Sequence, residues 1–388
     1  MGQGMSLTTR GDSTPPLKFI LLAPTSMVGG IATWTRYFLD RYNRERIDPI
    51  VIDNAKKYEE IGKESNLRGT LLGVLKSFQL LFHVILALRA RPKLIYLTCS
   101  GYWSFFTRDL MLVTVSRWLG LKTLIHLRGG RITSFCGHSP LSRLLARQVL
   151  KRAQKIIVVS REVGNYLRPL YPQTVYLPNM LDEGVLEKVA SPKLRSRQGE
   201  IKALHMAWQS PAKGSYDILE ACALLKERLP GLTCDLVGRA TPEHEAVILG
   251  KIKDLGLEGR VRLQKETAGD KKWKYFNEAD LFLFPSHTEG FPNVILEAMC
   301  FGLPIIASDV GNIREMVGGD SGDSSALILE KNNPISAEEL ADFILHLASD
   351  RSLMERLAAN GRERVKSYLV GSIIPQIEEF IIRTAENK

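Results

Sequence analysis

The strongest constraint on how this 388-residue chain folds is a rhythm of short apolar runs alternating with longer stretches of helical periodicity. Six runs fall at residues 17–22, 48–52, 94–98, 123–127, 155–159 and 174–177, with helical patterns such as 31–42 and 141–152 between them. A second series of six falls at 202–207, 233–237, 260–264, 281–284, 304–307 and 326–329, separated by helical patterns at 215–228, 244–255, 294–301 and 337–349. Strands spaced by helices cannot form hairpins. They pair in parallel through helical crossovers, so the expected class is α/β with two doubly wound units. The length also exceeds what one hydrophobic core usually supports. The expected organisation is a polar tail at 1–16, a first domain at 17–178, a second at 179–368, and a C-terminal helix at 369–388 packing back toward the first. A polar stretch at 191–200 (SPKLRSRQGE) reads as a linker.

Charge is distributed unevenly over this frame. Residues 1–190 carry 27 Lys and Arg against 13 Asp and Glu, whereas 191–388 carry 25 against 29. The first half is therefore expected to meet something anionic. Its basic residues are diffuse and lack a nucleic-acid-binding motif, so a negatively charged membrane surface or a phosphorylated acceptor fits better than nucleic acid. The five cysteines are scattered, form no CxxC pair, and fit a reducing cytoplasm rather than a disulfide framework or a zinc site. The first sixteen residues lack the apolar core of a signal peptide. Residues 71–88 (LLGVLKSFQLLFHVILAL) approach the length of a membrane span, but Lys76, Gln79 and His83 interrupt them. Leu71, Val74, Leu75, Phe78, Phe82 and Ile85 recur at helical spacing, which reads first as a helix packed on a sheet and second as a helix lying in a bilayer surface.

In open parallel sheets, ligands bind beyond the carboxyl ends of the strands. After the first apolar run, Gly29 and Gly30 let backbone approach a ligand and open a helix whose free N–H groups favour phosphate. The pair is not GxGxxG, which disfavours a nicotinamide dinucleotide. The densest passage is 281–317, LFLFPSHTEGFPNVILEAMCFGLPIIASDVGNIREMV. There a buried strand feeds a loop carrying Glu289, then Gly290, Phe291, Pro292 and Asn293, then a helix carrying Glu297. The loop amides sit at the helix's positive end, and two carboxylates there suit the hydroxyls of a sugar and a ribose.

EGFPNVILEAM resembles the E-x7-E signature of retaining glycosyltransferases of family 4, with PS before the first glutamate and GLPIIASDVGNIREMV after it. That resemblance implies the GT-B fold, in which two Rossmann-like domains face each other across a cleft. It implies a hexosyltransferase-type enzyme that uses a nucleotide-diphosphate sugar and needs no metal or other cofactor. Glu289 would bind hydroxyls of the transferred sugar near the reacting carbon, Glu297 the ribose, and Gly29-Gly30 the diphosphate. A histidine in the loop after the fourth strand, aligned with His126 in TLIHLRGG, would contact the donor sugar. Asn179 matches a P-N-G-V-D segment linking the domains, from which Met180 and Leu181 depart.

The second domain departs from the family at one functional place. HMAWQSPAKG stands where similar enzymes read G-R-L-x-x-x-K-G; Lys213 keeps the lysine, but Trp208 occupies the arginine position. A lysine alone supplies a point charge without the bidentate fork. Arg239, in the LVGRAT loop, is the candidate replacement, and Trp208 and Arg239 are both candidate contacts to phosphate or base. The expected reaction is front-side transfer with retention, to a glycan or lipid-linked acceptor, in the cytoplasm or on the inner face of the membrane. The competing readings are a non-catalytic sugar- or nucleotide-binding subunit of a glycan-assembly complex and, more remotely, a nucleotide-sugar epimerase.

Overall fold

The computed structural model describes residues 15–26, 30–55, 67–99, 108–128, 139–190, 200–319, 321–330 and 335–386, with backbone alone for 67–74. The segments 1–14 and 191–199, expected as tail and linker, lie outside the described residues, as does Gly29.

The first half builds one parallel sheet from β1 (Leu17–Ala23), β2 (Ile47–Asp53), β3 (Leu94–Cys99), β4 (Lys122–Leu127), β5 (Lys155–Val158) and β6 (Thr174–Tyr176), in the order β2-β1-β3-β4-β5-β6. Its helices are α1 (Gly30–Arg41), α2 (Leu67–Ala87), α3 (Leu110–Trp118), α4 (Pro140–Leu150) and α5 (Arg161–Leu167). The second sheet takes β7 (Glu200–Met206), β8 (Gly231–Val237), β9 (Val261–Gln264), β10 (Leu281–Phe284), β11 (Ile305–Ser308) and β12 (Ala326–Leu329), in the order β12-β11-β10-β7-β8-β9. Around it run α6 (Ser215–Leu224), α7 (Pro242–Asp254), α8 (Asp270–Glu278), α9 (Asn293–Cys300), α10 (Ile313–Val317), α11 (Ala337–Ser349) and α12 (Arg351–Arg364). All the strand pairs in both sheets are parallel. Strands such as β3 and β10 are buried at every position, as a sheet covered on both faces requires.

The order reverses at β1 in the first sheet and at β7 in the second, so each sheet has a crevice at one switch point. In the second sheet β7 pairs with β10, which brings the loops after those two strands side by side. The candidate site follows from that adjacency.

The last helix, α13 (Val370–Glu386), crosses back to the first domain. Val370, Ile373, Ile374, Ile377 and Ile381 are buried against Phe19, Trp34 and Phe38, each contributing about 1.5–3 kcal/mol. Its polar side is fixed as well. Glu378 accepts from the Asn43 amide at 2.7 Å and from Arg46 at 2.9 Å, and Lys122 donates to the Ala385 carbonyl at 3.0 Å.

α2 corrects the first reading of the apolar stripe. The helix forms, but it packs inward through Val84, with Leu80 and Ala87 beside it, whereas Leu75 (56% exposed), Phe78 (59%), Phe82 (58%) and Ile85 (48%) face outward. At 100° per residue, positions 80, 84 and 87 define one face, and the stripe defines another. Cys99, Cys222, Cys234 and Cys300 are buried free thiols.

Candidate active site

The site is built from the two loops at the second sheet's switch point. After β7 the chain is pinned by the buried Gln209, whose side chain donates to the carbonyls of Ala207 (2.9 Å) and Val237 (3.0 Å) and accepts from Ser215 Oγ (2.9 Å). A single 3-10 turn, Pro211–Lys213, then ends in Gly214 at φ 78°. A Cβ there would lie 2.0 Å from the Pro285 carbonyl oxygen, so only glycine lets the β7 loop close on the β10 loop. Closure brings the two expected donor groups together. Lys213 Nζ lies 2.6 Å from Glu289 Oε1 and 3.3 Å from the Thr288 carbonyl, and Ser286 Oγ donates to the same Glu289 oxygen at 3.0 Å. His205, at the end of β7, is wholly buried with Nδ1 on the Leu283 carbonyl at 2.9 Å. Loss of water pulls it down to about 4, and neighbouring Lys213 adds to the effect, so it stays neutral beside the pair.

Glu297 lies one turn into α9, and only 9% of its side chain is exposed. Its Oε1 pairs with Lys272 Nζ of α8 at 2.5 Å, while its Oε2 is buried without a partner. Each motif carboxylate thus carries its own lysine: Lys213 for Glu289 and Lys272 for Glu297. Between them, the first turn of α9 starts at Pro292 with no side-chain cap. Asn179 steadies this turn, donating to the Phe291 carbonyl (3.2 Å) and Asn293 Oδ1 (2.8 Å), and the Asn312 amide donates to the Gly290 carbonyl at 3.0 Å. Gly311 sits so close that a Cβ would meet the Glu289 carbonyl oxygen at 2.5 Å.

The first domain closes the other side. Gly30 opens α1, and a Cβ on it would lie 3.7 Å from Asn293 Nδ2, so the starts of α1 and α9 converge across the cleft. Two positive helix ends meeting at one point favour an anion there. Tyr37 of α1 is raised to about 12, by burial first and then by the Glu297 carboxylate. The domains are also latched through Arg161, whose amide donates to Asn312 Oδ1 at 3.1 Å and whose side chain pairs with Glu315.

Residues 187–364 match the family model described as glycosyl transferases group 1. The chain carries a glycosyl transferases group 1 domain. The capsular polysaccharide biosynthesis glycosyltransferase CapM of Staphylococcus aureus is 37% identical over 28% of this chain and 27% of its own length. The lipopolysaccharide core biosynthesis mannosyltransferase LpsB of Rhizobium meliloti is 29% identical over 39% of this chain and 42% of its own. The chain thus spans less than half the length of these two relatives. Anabaena HepE, solved in complex with UDP, superposes with a TM-score of 0.72 at 20% identity over 94% of this chain and all of that one. Both domains therefore share the GT-B fold, although the group 1 match covers the second domain alone.

Within the group 1 domain, the structure brings Lys213, Glu289, Gly290, Phe291, Pro292, Asn293 and Glu297 to one crevice, and Gly30 faces them. Three expected residues stand elsewhere or otherwise engaged. His126 lies inside β4 rather than in a loop and is 0% exposed, with Nδ1 on the Tyr96 hydroxyl at 2.8 Å and its ring edge-on to Trp34. Burial holds it well below the usual histidine range, with Arg128 adding to the effect, so it is a neutral core group. The strand ends at Leu127, as the apolar run 123–127 does, so the loop begins only at Arg128. Arg239 is paired with Glu266. Trp208 is 39% exposed, in the loop after β7. Lys272 and Arg128 were missed. Lys272 sits in DKKWKYF among three other lysines in and beside that segment, and only the fold distinguishes it.

Proposed function

We propose that the chain is a retaining glycosyltransferase of family 4 that moves a sugar from a nucleotide-diphosphate sugar to an acceptor hydroxyl in surface polysaccharide synthesis. One observation carries the reading: two lysine–carboxylate pairs flank the uncapped start of α9 where the start of α1 meets it. A diphosphate seated there meets both helix ends and Lys213, which lies 2.6 Å from Glu289 and releases it to take sugar hydroxyls. Glu297, with one free buried oxygen, suits a ribose hydroxyl. As the anomeric C–O bond to the phosphate breaks, Lys213 and the helix ends stabilise the departing charge. The acceptor hydroxyl attacks from the same face and gives its proton to the leaving phosphate, so no side-chain nucleophile and no metal is required. UDP in the HepE structure and the polysaccharide roles named for CapM and LpsB support this reading. A panel of nucleoside diphosphates and their sugars, read by thermal stabilisation and by slow donor hydrolysis in the presence of a chelator, tests it. Stabilisation with α-configured product from an α-donor is expected; no response to any member would sink it.

The alternative, a non-catalytic binding subunit, draws on Trp208 standing where similar enzymes carry arginine. Stabilisation by a nucleotide-sugar without any hydrolysis or transfer would favour it.

We also propose that the acceptor is lipid-linked and that the first domain docks on the cytoplasmic leaflet. No helix among the described residues is long and apolar enough to cross a membrane. Leu75, Phe78, Phe82 and Ile85 instead form an exposed apolar face that runs toward Arg89, Arg91 and Lys93. From residue 65 to 161 the sequence holds sixteen Lys and Arg and a single acid, Asp109. Apolar and basic surface side by side suits anionic lipid, at about 1 kcal/mol per basic residue near the surface. Flotation with anionic vesicles at low salt, lost at high salt and absent with neutral vesicles, is the expected result. No binding to either would remove the docking.

A further inference from the structure

Arg128 follows β4 directly and lies on the same face as His126, one pleat nearer the crevice at the carboxyl end of the sheet. It is held by a stack of aromatic side chains. Its guanidinium lies 4.7 Å from the centroid of the Trp34 ring. Trp34, wholly buried on α1, stacks on Phe38 at 5.5 Å and meets the His126 ring edge-on at 5.1 Å. The aromatic face fixes where the cation sits but accepts few of its hydrogen bonds. The Nη1 atom is buried and has no hydrogen-bond partner, and no carboxylate pairs with the side chain among the described residues.

Asp109 is the only acid between residues 65 and 161, and its Oδ1 is paired with Arg108 at 2.6 Å. Among the described residues, Lys213 and Lys272, on the other side of the cleft, each have a carboxylate within 2.6 Å. A buried charged donor left unmatched is costly, and a guanidinium fork fits a planar carboxylate or a phosphate through two parallel hydrogen bonds.

We infer that Arg128 anchors an anionic group of the substrate, a carboxylate or a phosphate, and so selects for a charged sugar donor or a charged acceptor. The inference rests on the transferase reading of the cleft and names the chemistry of what enters it from the first domain. Loss of water lowers Arg128 only to about 9, so it is a cation at neutral pH and ready for an anion.

The test uses the full chain and two probe sets. UDP-glucuronate against UDP-glucose reads a carboxylate carried by the donor. Inorganic phosphate, added to the UDP-saturated protein and to the protein alone, reads an anion that arrives with the acceptor. One of the two arms is expected to show a preference of about tenfold or more for the charged probe. That preference should fall to within about twofold in Arg128→Gln and be partly kept in Arg128→Lys, with UDP affinity unchanged in both. Circular dichroism and the unchanged UDP affinity establish that the variants fold. No charged-probe preference in either arm, or a preference that survives in Arg128→Gln, overturns the inference. Failure of wild type to bind UDP or any other nucleotide would count against the donor reading instead, and phosphate binding to the protein alone would then decide Arg128.

Discussion

The two domains share a fold yet treat their cleft-facing cations in opposite ways. In the second domain every candidate cation comes with an anion: Lys213 with Glu289, Lys272 with Glu297, Arg239 with Glu266. In the first, Arg128 rests on a tryptophan ring with Nη1 unmatched, in a stretch of 97 residues (65–161) that contains one acid. On the proposed transferase reading, the self-neutralised site would bind by exchanging partners, Glu289 turning from lysine to sugar hydroxyls and Lys213 from carboxylate to phosphate. An unmatched site binds by supplying what the protein lacks. On the reading proposed above, the second domain suits a ligand with both charge and hydroxyls, and the first a ligand or surface that is anionic.

The sharpest way to break this comparison is to remove one half of an exchanging pair. Glu289→Gln keeps the shape and most hydrogen bonds but loses the charge that orients the sugar, so turnover should fall by about a hundredfold with donor affinity little changed. Steady-state kinetics with the donor that the nucleotide panel identifies would check it, and wild-type turnover would show that Glu289 merely holds Lys213. Lys213→Ala should weaken nucleoside diphosphate binding by about tenfold or more, the most of any single lysine change. Calorimetry would check this; a neutral result would remove Lys213 from the donor site.

The second pair sharpens the comparison. Glu297→Gln should weaken donor affinity by about tenfold with turnover nearly kept, if its unpartnered buried oxygen takes the ribose hydroxyl as proposed. Lys272→Ala leaves a buried carboxylate without its cation, and the double variant should cost less than the sum of the two singles. Strict additivity in a double-mutant cycle on donor affinity would mean that the 2.5 Å pair is not energetically coupled.

The second sheet and its site were largely legible because motif and topology coincide there. The segments 281–284, 326–329 and 337–349 were read to the residue, and Glu289, Glu297 and Lys213 stand in or beside loops whose adjacency follows from a switch point. What escaped was partnership. Nothing local in DKKWKYF marks Lys272 as the residue that reaches Glu297, since that contact joins two elements 25 positions apart. The first domain was legible as fold and poorly legible as site. The family resemblance puts His126 in a loop although the apolar run 123–127 already holds it inside the fourth strand, and the first residue beyond that strand is Arg128. The apolar stripe of α2 marks a further limit of periodicity. Periodicity shows that a helix has an apolar face, but Val84 and Leu80, not Phe78 and Phe82, are what the sheet covers.

The smallest effect tests the departure from the family pattern that falls in the proposed phosphate loop. Trp208 is 39% exposed, and the loop beneath it is fixed by the Gln209 amide on the Arg239 carbonyl at 2.6 Å, so a substitution at position 208 changes the loop surface without moving Lys213. Arg239 is paired with Glu266 and does not stand in for the missing arginine unless that pair opens. Trp208→Arg therefore adds a cation beside the proposed phosphate site and its one lysine. An added charge this exposed is worth about 0.3–1 kcal/mol, or roughly two- to fivefold tighter nucleoside diphosphate binding, with a steeper loss of affinity as salt rises. Because the other candidate cations of this site each hold a carboxylate, the introduced guanidinium would have no anion to exchange, and the gain should appear in binding rather than turnover. Calorimetry at two salt concentrations reads both quantities. Unchanged affinity at low salt would place position 208 out of reach of the phosphates and assign the tryptophan to the base or to the acceptor side.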